Sequence, residues 1–190
     1  MAEVRALALI GSLRAGSYNR ALWRAAQAYA PEGLVLEEGV IGDLPLYNGD
    51  LHPPVAAAWP APAARLSAQV ASAEAVLFIS PEYNYSIPGP LKNAIDWVSR
   101  VQPSPFNDKP AAVMGATGGM WGTTRMQYHL RQVGVFTNLH FLNRPEMLVA
   151  KAQEKFSADG VLTDEGTAKV LVQFLTAFRD WARRLREHKA

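Results

Sequence analysis

The stretch PEYNYSIPGPLKNAIDWVSR, residues 81–100, decides how this chain is read. It follows Ala75-Val76-Leu77-Phe78-Ile79, an apolar run with the length and flanks of a buried strand. Pro81, Pro88, Gly89 and Pro90 then turn the backbone. Pro90 suits the first turn of a helix, where a missing N–H costs nothing. Leu91, Ala94, Ile95 and Val98 recur at helical spacing and predict an apolar stripe facing a core. The segment is strand, long loop, helix, and in an open parallel sheet ligands sit at the loops on the carboxyl ends of strands. Between its stiffening prolines the loop carries Glu82, Tyr83, Asn84 and Tyr85, two rings and two hydrogen-bonding side chains. By composition alone it reads equally well as a Pro-rich surface connection.

Towards the N-terminus the same unit recurs. Residues 4–10 form an apolar strand ending at Gly11, followed by GSLRAGSYNR and a helix over 21–30 with Leu22, Ala25, Ala26 and Tyr29 on one face. Strand, glycine-bearing loop and helix together deliver an anion to a helix N-terminus. The dinucleotide pattern G-x-G-x-x-G fails here at Leu13. The P-loop spacing is met by Gly11 and Gly16, but Ser17 stands where the lysine belongs and Tyr18 where the magnesium hydroxyl belongs. That disfavours a nucleoside triphosphate with its metal. A single terminal phosphate suits Ser12, Ser17, Asn19, the loop amides and the charge of Arg14. The competing reading is a capped helix start, with Ser17 or Asn19 as N-cap and Arg14 in solvent.

The remaining segments continue the alternation. Residues 34–36 are a second strand, weakened by Glu37 and Glu38. DLPLYN, residues 43–48, enters a stretch with five prolines between Pro45 and Pro62, and residues 63–73 form a short helix with Leu66 and Val70 inward. Residues 111–116 are a strand, and TGGMWG, residues 117–122, is a loop whose glycines permit close approach to a planar ligand. A helix over 123–134 is expected to close at Gly134, and residues 138–142 to form the last strand. Residues 143–160 are irregular. The final helix opens at Thr163, with Val170, Phe174, Phe178, Trp181 and Leu185 along one core-facing stripe.

Bulk properties exclude several classes. At 190 residues, 49 % hydrophobic and 19 % charged, the chain reads as one ordinary globular domain, residues 1–190. The net charge is +2, and the basic cluster Arg179, Arg183, Arg184, Arg186 and Lys189 reads as a solvated helix terminus rather than a nucleic-acid patch. With no cysteine, disulfides, thiol redox chemistry and Cys-ligated metal are excluded. His52, His129, His140 and His188 lack metal-ligand spacing, and His129 reads as a surface or interface residue. No apolar run approaches 20 residues, and Glu3 and Arg5 interrupt any signal-peptide pattern, so a cytoplasmic location is expected.

PEYNYSIPGPLKNAIDW and the G-S-x-R-x-G-S-x-N pattern of residues 11–19 together resemble the NADPH-dependent FMN reductases. That flavodoxin-like family includes bacterial chromate, quinone and azo-dye reductases. The resemblance covers nearly the whole chain, most tightly residues 9–20 and 80–100. It implies an α/β fold, a doubly wound five-stranded parallel sheet in the order 2-1-3-4-5, with the loops after strands one, three and four forming an FMN site. It assigns Ser12, Arg14, Ser17, Tyr18 and Asn19 to the phosphate, Pro81, Glu82, Tyr83 and Asn84 to the isoalloxazine ring, and Thr117 and Gly118 to its pyrimidine side. Ala116 and Thr117 replace two serines found in some relatives. DLPLYN is also similar to the family, and equally a packed surface loop. Trp121 is a wall of the substrate site or a packed ring. Family members are dimers or tetramers, and Tyr85, Arg125, Tyr128 and Glu146 are interface candidates.

The implied activity is ping-pong transfer of two electrons from NADPH or NADH through FMN to a quinone, with chromate, azo dyes and ferric complexes as further acceptors and no obligatory catalytic side chain. Two other redox readings stand beside it: supply of reduced flavin to a partner monooxygenase, and a flavodoxin-like carrier, which the +2 charge disfavours. A phosphate-binding module without redox chemistry is the remaining alternative.

Overall fold

The computed structural model describes residues 3–54 and 58–187. The chain runs β1 (Val4–Ile10), α1 (Tyr18–Ala28), β2 (Leu34–Gly39), α2 (Ala61–Ser72), β3 (Ala75–Ile79) and α3 (Gly89–Val98). It continues through β4 (Pro110–Ala116), α4 (Thr124–Thr137), β5 (His140–Phe141), β6 (Met147–Val149) and α5 (Glu165–Glu187). Every strand pairing is parallel and the order is β2-β1-β3-β4-β5, as expected, with β6 pairing a second stretch of β4.

Side-chain parity divides the core into two layers. Val4, Ala6, Ala8 and Ile10 of β1, Leu77 and Ile79 of β3, and Ala112 and Met114 of β4 pack under α1 and α5. The residues between them, Leu7, Leu9, Val76, Phe78, Ala111 and Val113, pack under α2, α3 and α4. Every residue of β3 and β4 is therefore buried, which is why both read as unbroken apolar runs. Trp59, Ala63 and Trp97 form a smaller third cluster with Tyr47. Trp97 Nε1 donates to the Pro45 carbonyl and Asn93 brackets the same turn, so the DLPLYN stretch is held down as a packed loop.

Several boundaries depart from expectation for identifiable reasons. Strand β2 extends through Glu37 and Glu38 because it is an edge, where their carboxylates reach Arg5 and Arg20. Helix α1 begins at Tyr18, and Tyr29 lies beyond its end, 39 % exposed. Gly134 does not close α4. It lies within the helix, where any Cβ would strike the Phe141 ring, and the stop falls at Asn138 in a left-handed conformation (φ 52°, ψ 40°).

The expected last strand shrinks to β5. The fifth strand position is completed by β6, inside the segment expected to be irregular; Pro145 between them has no N–H for a ladder. Helix α5 begins at Glu165 and buries Leu171, Phe174, Leu175, Phe178 and Ala182, whereas Val170 is 39 % exposed. Its basic end is solvated but partly tied down: Arg184 is exposed, while Arg179 donates to the Glu32 carbonyl and Arg186 pairs with Glu74. Lys189 and His188 lie outside the described residues. No described helix is long and apolar enough to cross a membrane.

Candidate active site

The loops after β1, β3 and β4 meet at the carboxyl edge of the sheet, where the strand order reverses between β1 and β3. Gly11 makes the meeting possible. Its N–H donates to the Ile79 carbonyl, and a Cβ there would lie 2.5 Å from Ser80 Oγ and 3.3 Å from Pro88 Cγ. Residues 12–16 then cross the edge with none of their amides donating to a described partner. Ser17 caps α1, its Oγ accepting from the Asn19 N–H at 3.1 Å. So the cap at Ser17 does not preclude an anion site: it uses the Ser17 hydroxyl and leaves the loop amides open. Ser12 is buried, while the exposed Arg14 folds back so that its Nη1 lies 3.3 Å from where a Gly16 Cβ would stand. Open amides at a helix N-terminus beside a guanidinium fit a phosphate dianion.

Two of the residues expected on the phosphate are differently employed. The Tyr18 ring leaves the loop and stacks near Phe156, centroids 6.2 Å apart. Asn19 is 2 % exposed and turns to the end of β4: its Nδ2 donates to the Ala116 carbonyl and its Oδ1 accepts from the Ala116 N–H, both at 2.9 Å.

On the other side of the edge Pro81 is buried, and Tyr83 to Ser86 close a tight turn. The Tyr83 N–H donates to the Ser86 carbonyl at 3.1 Å and the Ser86 N–H to the Tyr83 carbonyl at 3.0 Å. Its central residues Asn84 and Tyr85 have φ of 50° and 67°, the left-handed pair of a type I′ turn. Asparagine tolerates that region; tyrosine does so at a cost. The cost is met by contacts outside the turn. Arg125 on α4 places its guanidinium 3.6 Å from the Tyr85 ring centroid and pairs with the nearly buried Glu82 carboxylate at 2.5 Å. Glu82 also accepts from the Met126 N–H at 3.1 Å, a carboxylate at the positive end of α4. Glu82 is thus spent on anchoring its own loop, while Tyr83 and Asn84 stay exposed.

The third loop is fixed from behind. Thr117 donates its N–H to the Val149 carbonyl and accepts from the Ala152 N–H, so β6 and the turn after it hold the loop in place. Gly118 is exposed, and Thr123 is fully buried with φ 70°, a β-branched residue in left-handed backbone that sequence reasoning missed. Nothing local marks it; its Oγ1 and the Ser80 carbonyl converge where a Gly115 Cβ would be. A cavity of about 330 Å³ opens among Glu82, Asn84, Tyr85, Thr117, Trp121 and Arg125. Trp121 lines this cavity and is 67 % exposed, so it is not a packed ring. Farther along α4, the Tyr128 hydroxyl donates to Glu146, the residue before β6, in a 3.0 Å hydrogen bond that raises the Tyr128 pKa. His129 is exposed, 2.8 Å from Ser86 Oγ.

The model of the NADPH-dependent FMN reductase family matches residues 4–154. An NAD(P)H-dependent FMN reductase of Pseudomonas aeruginosa is 46 % identical over 184 residues, covering 97 % of this chain and 98 % of that protein. An NAD(P)H:quinone oxidoreductase of Solanum tuberosum is 46 % identical over 193 residues, covering 96 % of this chain and 95 % of its own length. Among solved structures, a flavoenzyme NAD(P)H:(acceptor) oxidoreductase from Paracoccus denitrificans superposes with a TM-score of 0.86 at 38 % identity, over 95 % of this chain and 98 % of that one.

Proposed function

The chain belongs to the NADPH-dependent FMN reductase family, an oxidoreductase with FMN as cofactor and NAD(P)H as electron donor, and from that premise we propose that it reduces quinones. Bound FMN supplies the chemistry, taking a hydride from the nicotinamide and passing two electrons onward. The chain's own residues bind, orient and shield. Ser12, Arg14, Ser17 and the Tyr18 amide hold the phosphate. Pro81, Glu82, Tyr83 and Asn84 form the wall against the ring, in which Glu82 works through the turn it anchors. Gly118 offers its backbone amide to the ring's pyrimidine edge, and Thr117, whose own N–H is bound to the Val149 carbonyl, fixes the loop that presents it.

The observation that carries this reading is the run of open amides from Ser12 to Gly16 at the start of α1, facing the Tyr83–Ser86 turn across one sheet edge. Tyr85, 71 % exposed, and Trp121 rim the cavity and offer flat surfaces to a flat acceptor. A mouth open enough to admit donor and acceptor in turn supports a ping-pong cycle. It also supports turnover of chromate, azo dyes and ferric complexes. Tyr85, Arg125, Tyr128 and Glu146 lie along one face beside that mouth, and we assign them to a homodimer or homotetramer contact.

The test is the visible spectrum of the purified protein with FMN, then with anaerobic NADPH, then with a quinone. Bleaching by NADPH and recovery with quinone are expected, with parallel double-reciprocal lines in steady state. A flavin spectrum indifferent to both nicotinamides refutes the reductase reading.

A further inference from the structure

We propose that Asn19 is a positioning residue whose carboxamide replaces a missing strand residue beside β4 and thereby fixes the spacing between the phosphate loop and the loop at Thr117. The proposal rests on the FMN reading above. The β3–β4 register ends with Ile79 opposite Met114, and the Ser80 N–H adds one more bond to the Met114 carbonyl at 3.0 Å. The next residue, Pro81, has no N–H, and there the chain leaves the sheet for the Tyr83–Ser86 turn. Ala116, two residues beyond Met114, is left without a β3 partner.

A side-chain amide carries the same donor and acceptor as a peptide group. The two 2.9 Å bonds between Asn19 and Ala116 are the pair a strand neighbour would have made. Asn19 lies two residues after the cap of α1, and Ala116 one residue before Thr117. The clamp therefore joins the helix that receives the phosphate to the strand end that presents amides to the ring. At 2 % exposure the carboxamide is closed to a ligand and acts only through what it holds.

The clamp and a direct phosphate contact make opposite predictions about a flavin lacking the phosphate. Riboflavin and FMN are titrated against wild type, Asn19→Leu (same size, no hydrogen bonds) and Arg14→Ala. Loss of the clamp reduces the fraction of molecules with both loops aligned, and so weakens both ligands by one common factor, about tenfold. Arg14→Ala instead weakens FMN and leaves riboflavin unchanged. In flavin-free protein, hydrogen exchange of the Ala116 amide accelerates in Asn19→Leu; Asn19→Ala serves if that variant does not fold. Weakening confined to FMN overturns the proposal, as does an unchanged Ala116 exchange rate. Wild-type protein that binds neither flavin refutes the FMN reading, and the Ala116 exchange then decides the clamp by itself.

Discussion

Replacing Arg125 with alanine should destabilise the protein well beyond what its surface position suggests. Its guanidinium bridges the Glu82 carboxylate, whose side chain is only 8 % exposed, and the Tyr85 ring, while itself remaining 36 % exposed. Breaking a fully buried ion pair by removing one partner costs about 3–5 kcal/mol, because a charge is stranded. An exposed pair contributes less than about 1 kcal/mol. With one partner sheltered and the other reached by water, the loss lies between, about 2 kcal/mol, to which the ring contact adds about 0.5–1 kcal/mol. Glu82 keeps the Met126 N–H, so its loop does not come free. Urea unfolding followed by tryptophan fluorescence should show a lower midpoint at constant slope. Glu82→Gln introduced into Arg125→Ala should recover part of the loss, since a neutral amide strands no charge, and the double-mutant cycle should show a coupling above about 1 kcal/mol. A cost below about 0.5 kcal/mol, or simple additivity of the two substitutions, would refute the reasoning.

Arg14→Ala should raise the FMN dissociation constant about tenfold or more, by loss of a charge-assisted contact, with the urea midpoint unchanged; fluorescence titration measures it. Gly115→Ala should destabilise by about 2–3 kcal/mol, since the new methyl meets the Ser80 carbonyl oxygen, which is backbone and cannot rotate away. The Asp164 pKa is lowered from 3.8 to about 2 by the Thr167 hydroxyl and N–H and by Lys155. A depressed carboxylate contributes stability that is full above about pH 4 and lost as the pH falls through 2. Asp164→Asn should therefore flatten the pH dependence of the urea midpoint between pH 4 and 2.

What the sequence reveals and what it hides divide by how local the cause is. Strands β3 and β4 are legible because burial on both faces forces unbroken apolar runs. The loop after β1 is legible as a break between strand and helix because Gly11, Gly16 and the cap Ser17 mark it. Gly134 misleads because it is glycine for the sake of Phe141, not for a helix stop, and the two uses look alike in sequence. Strand β6 escapes because three residues carry no periodicity. Asn19 and Glu82 stand out in the sequence as candidate site residues, but their partners Ala116 and Arg125 lie 97 and 43 residues away, and only the fold brings them together. The left-handed backbone at Tyr85 and Thr123 has no local cause at all; surrounding contacts impose it.

The divided fifth strand position also bears on how the molecule behaves in a crowded solution. A sheet edge is a template for pairing with another chain, and a long flat apolar edge invites aggregation. Here one edge is two short pieces, His140–Phe141 and Met147–Val149, separated by a segment with a proline, so no incoming strand finds a continuous row of donors and acceptors. At the opposite edge, Glu37 and Glu38 place charge at the end of β2. Both rims of the sheet resist edge-to-edge addition, one by interruption and the other by charge. Insertions that lengthened β5 towards β6 would remove the first of these protections.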